Sequence, residues 1–151
     1  MSFPAPVFSR IAVGVDLSDS SLVAVGQAMS LARHVGAPLL LMMVEVEPES
    51  LDDLPTSLRA SETRLRAARR ERLAFDGREL EALRQRLIGQ GVEISHVVAA
   101  GDADHGVAET AAQGEADLIV VGSHGRHGLS RMFLGSVAEK TVRLASSSVL
   151  V

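Results

Sequence analysis

The run Leu39-Leu-Leu-Met-Met-Val44 constrains the fold more than any other stretch. It is continuously apolar and is preceded by Gly36-Ala-Pro38, a helix stop. Such a run reads as a strand covered on both faces, which is the habit of parallel sheets. Asp117-Leu-Ile-Val-Val-Gly122 repeats the pattern, and Arg10–Asp16 carries Ile11, Val13 and Val15 in alternation with small residues. Between the first two runs, Asp16-Leu-Ser-Asp-Ser offers several N-caps for a helix through Leu22, Val25, Met29, Ala32 and Val35. A polar loop with Pro48 and Pro55 leads to a long helix or helix pair over roughly Leu58–Ile88. Its expected buried stripe is Leu58, Leu65, Leu73, Leu80, Leu83 and Leu87, ended by Gly89 and Gly91. Val92–Ala99 is the third strand, and Gly101-Asp102 turns into a short helix through Val107, Ala108, Ala111 and Ala112. A last helix starts near Ser136, and Ser148–Val151 forms a short fifth strand. Strand and helix thus alternate five strands deep, which argues an α/β fold with a parallel sheet and helices on both faces. No repeat or linker interrupts residues 1–151, so one domain is expected.

Composition narrows the function. The net charge is −4 and the aromatic residues are all Phe, at 3% of the chain, so neither a basic footprint nor a stacking platform for nucleic acid is present. There is no cysteine, which excludes disulfides and thiolate chemistry. No apolar run reaches the roughly eighteen residues of a membrane span, and Met1-Ser-Phe-Pro-Ala-Pro lacks the basic start and apolar run of a signal peptide. A cytoplasmic protein is expected. Lys140 is the sole lysine and sits in no P-loop frame, and Gly-x-Gly-x-x-Gly is absent.

Ligands of such sheets bind beyond the carboxyl ends of the strands, where strand order reverses. With order 3-2-1-4-5, that point lies between the first and fourth strands, which end at Asp16 and Gly122. The second of these opens Gly122-Ser-His-Gly125-Arg-His-Gly128-Leu-Ser-Arg131-Met-Phe-Leu-Gly135-Ser136-Val137. Glycines let a backbone approach a ligand closely. Ser136, three residues before Glu139, forms a capping box at the start of the last helix. The free N–H groups of a helix start attract anions. Arg126 and Arg131 are charge partners for a phosphate chain, with His124 or His127 beside them. A divalent cation bridging phosphate oxygens would offset the remaining charge.

Gly122, Gly125, Gly135 and Ser136 satisfy the pattern Gly-x2-Gly-x9-Gly-Ser/Thr, and Val-Val-Gly-Ser-His-Gly-Arg and Leu-Gly-Ser-Val-Ala-Glu surround it. In these residues, in Val15-Asp16 and in Gly101-Asp102, the chain resembles the ATP-binding branch of the universal stress protein family. The resemblance covers nearly the whole chain; residues 47–90 share only a variable, helical character. It implies a Rossmann-like fold akin to adenine nucleotide alpha hydrolases, with sheet order 3-2-1-4-5. It implies ATP with Mg2+ or Mn2+ as the ligand. Asp16 would approach the ribose or the phosphate-bound metal, and the backbone near Val15 and Val44 would hold adenine. Val121 and Gly122 would line the ribose, and His124, Gly125, Gly135, Ser136 and Val137 would surround the phosphates. It also implies a homodimer through the C-terminal strand. The usual Pro-Val-Leu-Val-Val ending is here Ser146-Ser-Ser-Val-Leu-Val151, without proline, so that strand is expected to be short.

Plainer roles stand beside these. Asp16 at a strand end also suits helix capping. His124 and His127 have His-x-x-His spacing but no third ligand nearby in sequence. The arginines from Arg59 to Arg86 suit a solvated helix face, with Glu62 and Arg66 paired at i, i+4, or a surface for an acidic partner. No general base is fixed beside the glycine loop, so slow or no ATP hydrolysis is expected. The expected function is a regulatory ATP-binding module in the stress response. The alternatives are a slow ATPase and a nucleotide-independent dimer.

Overall fold

A computed structural model describes residues 8–46, 59–101, 105–124 and 134–151. The elements alternate as β1 (Ile11–Gly14), α1 (Asp19–Val35), β2 (Leu39–Val46), α2 (Arg59–Leu87) and β3 (Ile94–Gly101). Then follow α3 (Gly106–Gln113), β4 (Leu118–Val120), α4 (Ser136–Leu144) and β5 (Ser148–Leu150). The sheet is parallel throughout, in the order β3-β2-β1-β4-β5. The expected order therefore holds, as does the short last strand. The loop with Pro48 and Pro55 lies outside the described residues.

Each face of the sheet closes one core. Ile11, Val13, Leu39, Leu41 and Val120 pack under α1 and α2, while Ala12, Leu40, Met42 and Ile119 pack under α3 and α4. That two-sided burial is why β2 reads as an unbroken apolar run. In α1 the centre of the buried stripe is small: Ser21, Ala24, Ala28 and Ala32 lie against the sheet with Val25 and Met29. Leu22, expected in that stripe, sits on its flank and is 41% exposed. Ser18 caps the helix by accepting a bond from the Ser21 amide, and Gly36 ends it in the left-handed region at φ 74°.

The segment after β2 is a single helix, α2, of 29 residues. At 1.5 Å per residue it runs about 43 Å, whereas an eight-residue strand spans about 26 Å. Only its second half can therefore lie on the sheet. Leu80 and Leu83 are buried there with Leu87 packed beside them, whereas Leu65 is 46% exposed, contrary to the expected stripe. Leu58 lies outside the described residues. The stripe also carries Asp76, fully buried, which takes the Arg72 Nε–H at 3.0 Å. Arg72 lies 3.6 Å from Glu45 of β2 as well. On the face of α2 toward β3, Arg84 and Gln85 bond the Glu81 carboxylate and hold its pKa down at about 2.

Asp117 fastens the start of β4 to the chain before β1. Its carboxylate accepts from the Ser9 amide and hydroxyl, both at 2.7 Å, and from the Arg10 amide at 3.1 Å. Burial works to raise its pKa, but the bonds from Ser9 and Arg10 together hold it below the ordinary value of 3.8. Asp117→Ala should destabilise the fold by about 2 kcal/mol at neutral pH, since three donors lose a charged acceptor. A folded pKa below the unfolded one gives stability that is present above the unfolded value and lost as pH falls through the folded value. Denaturant titrations should therefore show the gap between wild type and variant narrowing below about pH 4. A gap that stays constant down to pH 2 would contradict this role for the carboxylate.

Candidate functional site

The sheet has a step at its carboxyl edge. Pairing of β1 with β2 stops at Gly14 and Met42, extended one bond further where the Val15 amide donates to Met42 O at 2.7 Å. Pairing of β2 with β3 continues to Val46 and Gly101. The end of β2 thus overhangs β1, and the crevice above β1 is flanked by β2 on one side and the chain leaving β4 on the other.

On the floor, Val15 is buried and Asp16 half-buried. Asp16 Oδ1 accepts from the Ser18 amide at 2.9 Å and the Ser18 hydroxyl at 2.5 Å. Ser18 Oγ in turn accepts from the Ser21 amide at 3.2 Å, and Ser21 Oγ donates to Ser18 O at 3.0 Å. One carboxylate oxygen of Asp16 is therefore committed to bracing the helix cap, the plainer of the two roles its sequence position suggested. Leu17, between them, is held at φ 64°, a left-handed conformation unusual for a branched side chain. At the overhang, Val44 pairs with Ala99 across the ladder. Its Cγ1 fills a notch left by two glycines, 2.6 Å from where a Cβ on Gly106 would stand and 3.4 Å from one on Gly101. The Val44 side chain is thus occupied by the packing of α3.

Opposite, Val121 is buried and its amide donates to Leu150 O at 3.0 Å. Gly122 lies against the first turn of α1: a Cβ there would come within 2.6 Å of Ser20 Oγ and 2.9 Å of Ser20 C. The same Ser20 Oγ accepts from the His124 amide at 3.4 Å. Ser123 Oγ is 2.9 Å from His124 Nδ1, and His124 Nε2 is buried without a hydrogen-bond partner. The two ends of the glycine loop meet where the Gly135 amide donates to Ser123 O at 2.8 Å. A Cβ on Gly135 would stand 3.0 Å from that oxygen.

Gly135, not Ser136, is the N-cap of α4, and no side chain caps this helix. The expected capping box is absent: Ser136 is the first helical residue, and Glu139 is bonded through its amide to Gly135 O at 2.9 Å. The cap position is pressed against Ser123, where a Cβ would stand 3.0 Å from the carbonyl oxygen, and glycine fits there without displacing it. The consequence is a helix start whose cap residue offers no side-chain oxygen to the first amides, with Ser136 and Val137 exposed at its mouth. Such a start carries partial positive charge toward whatever lies beyond the strands.

The fold therefore gathers Val15, Asp16, Val121, Gly122, His124, Gly135, Ser136 and Val137 around the two loops that flank the β1–β4 switch point, with Val44 on the overhang. Gly125, Arg126, His127 and Arg131 lie outside the described residues. Among the described residues no three His, Cys, Asp or Glu side chains converge as a metal cage. The residues present suit a nucleotide: a helix start capped by a glycine, loop ends joined at that glycine, and a buried ring nitrogen without a partner among the described residues. Sequence reasoning missed Ser20 and Ser123. Ser20 was only one of several candidate caps, and its contact with His124 bridges positions 104 apart in sequence.

Comparison with known proteins gives these features a family. A family model described as Universal stress protein family matches residues 8–151. Universal stress protein YxiE of Bacillus subtilis is 30% identical over 146 residues, spanning 96% of this chain and 99% of its own. The solved structure of protein MJ0577 of Methanocaldococcus jannaschii has a TM-score of 0.80 at 19% identity, covering 97% of this chain and 96% of that one. At that identity it speaks for the fold alone. A universal stress protein solved in complex with cAMP is 26% identical, with a TM-score of 0.58 and 97% of both chains covered. Family model, full-length relative and sheet order agree, and the chain belongs to the universal stress protein family.

Proposed function

We propose that this chain binds ATP, with Mg2+ or Mn2+, as a regulatory module of the stress response that hydrolyses the nucleotide slowly or not at all. The observation that carries the reading is the start of α4: a glycine N-cap that is drawn onto Ser123 and makes no side-chain bond to the first-turn amides. A phosphate there meets first-turn N–H donors to which the cap residue gives no side-chain acceptor, and the positive end of the helix dipole. The relative solved with cAMP supports an adenine nucleotide as the class of ligand. The crevice above β1, with Val15 on its floor and Val44 at its rim, is the proposed seat of the adenine. Val121 and Gly122 are the proposed ribose wall, and Gly125, Arg126 and Arg131 the further phosphate partners. Asp16 has one oxygen engaged, so we assign the ion chiefly to the phosphate oxygens, as magnesium prefers. Asp16, the carboxylate on the floor of the crevice, is engaged with the Ser18 cap, which favours binding over turnover.

A homodimer through β5 and a cytoplasmic setting belong to the same proposal. Among the described residues β5 pairs only with β4, and Leu150 and Val151 are each more than 40% exposed. Beside it runs an open groove of about 650 Å3 between α1 and Leu150, lined also by Gln27, Leu31 and His34. Among the described residues no helix is long and apolar enough to cross a membrane.

Amide NMR during titration with ATP tests the placement. The largest shifts are expected at Gly122, His124, Gly135 and Ser136, with ATP bound at least tenfold more tightly than cAMP because two more phosphates meet the helix start. Shifts confined to the groove between α1 and β5 would contradict the assigned loop. Phosphate release at ordinary enzyme rates, on the order of one per second or faster, would sink the binding-module reading.

A further inference from the structure

We propose that Ser123 is a positioning residue that sets the tautomer of His124, so that Nε2 carries the ring proton and presents it to a phosphate oxygen; this rests on the ATP-binding reading above. A neutral imidazole has one N–H and one lone pair, and the bond made by one nitrogen decides the role of the other. Ser123 Oγ stands 2.9 Å from Nδ1. When the hydroxyl donates, Nδ1 holds the lone pair and the proton sits on Nε2. That second nitrogen is buried and has no partner among the described residues, which leaves its bond open to a ligand. An anion separates the two tautomers sharply. A lone pair at Nε2 repels a phosphate oxygen, whereas an N–H there bonds it with charge assistance.

The backbone around the ring is arranged to keep it in place. The His124 amide is tied to Ser20 Oγ, and the carbonyl of Ser123 takes the Gly135 amide at the N-cap of α4. The ring and the uncapped helix start are therefore fastened to the same dipeptide. Ser123 acts at one remove, through the ring, and need not touch the nucleotide.

Two measurements test this. Long-range nitrogen–proton NMR of the His124 ring in nucleotide-free protein should show the Nε2–H tautomer in wild type and a mixture in Ser123→Ala. ATP affinity by calorimetry should fall about 3–10-fold in Ser123→Ala and about tenfold or more in His124→Asn, whose amide reaches only the Nδ1 position. His124→Gln, whose amide nitrogen reaches the Nε2 position, should stay within about threefold of wild type. Adding Ser123→Ala to His124→Gln should change nothing further, because glutamine has no tautomer to set. Thermal unfolding of each variant separates loss of fold from loss of affinity. An Nδ1–H tautomer in wild type, or ATP binding that Ser123→Ala leaves intact, overturns the inference while the ATP reading stands. Wild-type protein that does not bind ATP overturns both.

Discussion

Gly122→Val is expected to lower stability by about 3 kcal/mol, a fall in melting temperature of roughly 6–12 °C for a chain of this size. The expectation comes from where a Cβ would go. It would stand 2.6 Å from Ser20 Oγ and 2.9 and 3.0 Å from the Ser20 carbonyl carbon and oxygen. A hydroxyl can rotate away, but the backbone of the first turn of α1 cannot move without loosening Ser21, Ala24 and Val25 from the sheet. Overpacking against backbone in a dense interior is seldom absorbed. The reading has an internal check. Ser20→Ala removes only the hydroxyl, so it should not rescue Gly122→Val. Full rescue would show that the side chain, and not the close approach of β4 to α1, sets the need for glycine. A glycine taken from sequence as a ligand-facing residue is thus also a packing residue, and its substitution is a poor probe of binding.

Gly135→Val is expected to do the reverse: a small loss of stability, about 1 kcal/mol, with a loss of ATP affinity of at least about tenfold. The backbone of Gly135, at φ −62° and ψ 148°, is one that any residue adopts. Only the neighbour matters, since a Cβ would stand 3.0 Å from Ser123 O and 3.4 Å from His124 Cα. Valine must therefore push the N-cap of α4 off the Ser123–His124 dipeptide. The Gly135 amide then loses its bond to Ser123 O, and the helix start moves away from the Ser123–His124 backbone. Affinity is measured by calorimetry and stability by urea unfolding on the same sample. ATP affinity within about twofold of wild type would contradict the role assigned to this closure.

The order of elements and both core faces were legible because buried strands and amphipathic helices write themselves as periodicity. The order of the strands came from the family resemblance carried by the Gly122–Ser136 pattern. Two misreadings have physical causes. Ser136 and Glu139 have the spacing of a capping box, yet the box is one residue out of place because the helix is capped by Gly135, which sits close against Ser123. A motif rule counts residue types and cannot see a neighbour twelve positions upstream. In α2, counting leucines extended the buried stripe to Leu65, but the helix outruns the strands that would cover it, and the inward-facing Asp76 was invisible to an apolar count. Ser20 was legible only as one of several helix caps, and Ser123 only as a residue within the glycine pattern. Their importance lies in bonds to His124 and Gly135, which only the folded chain brings together. Asp16 was legible as a site residue, while its bond to the Ser18 cap was foreseen only as the plainer alternative.

These particulars describe one device. The chain leaving β4 is clamped to α1 through Ser20, then to the start of α4 through Ser123, and the glycine cap of α4 offers its first amides no side-chain oxygen. That device is the reason to expect a nucleotide at this edge of the sheet. The most direct test is calorimetry of ATP on nucleotide-stripped wild-type protein, with and without Mg2+, while phosphate release is followed in the same sample. The account predicts binding at micromolar strength or tighter, about −8 kcal/mol, with negligible release. No heat of binding under either condition would contradict it, leaving a universal stress protein fold whose helix start serves some purpose other than holding ATP.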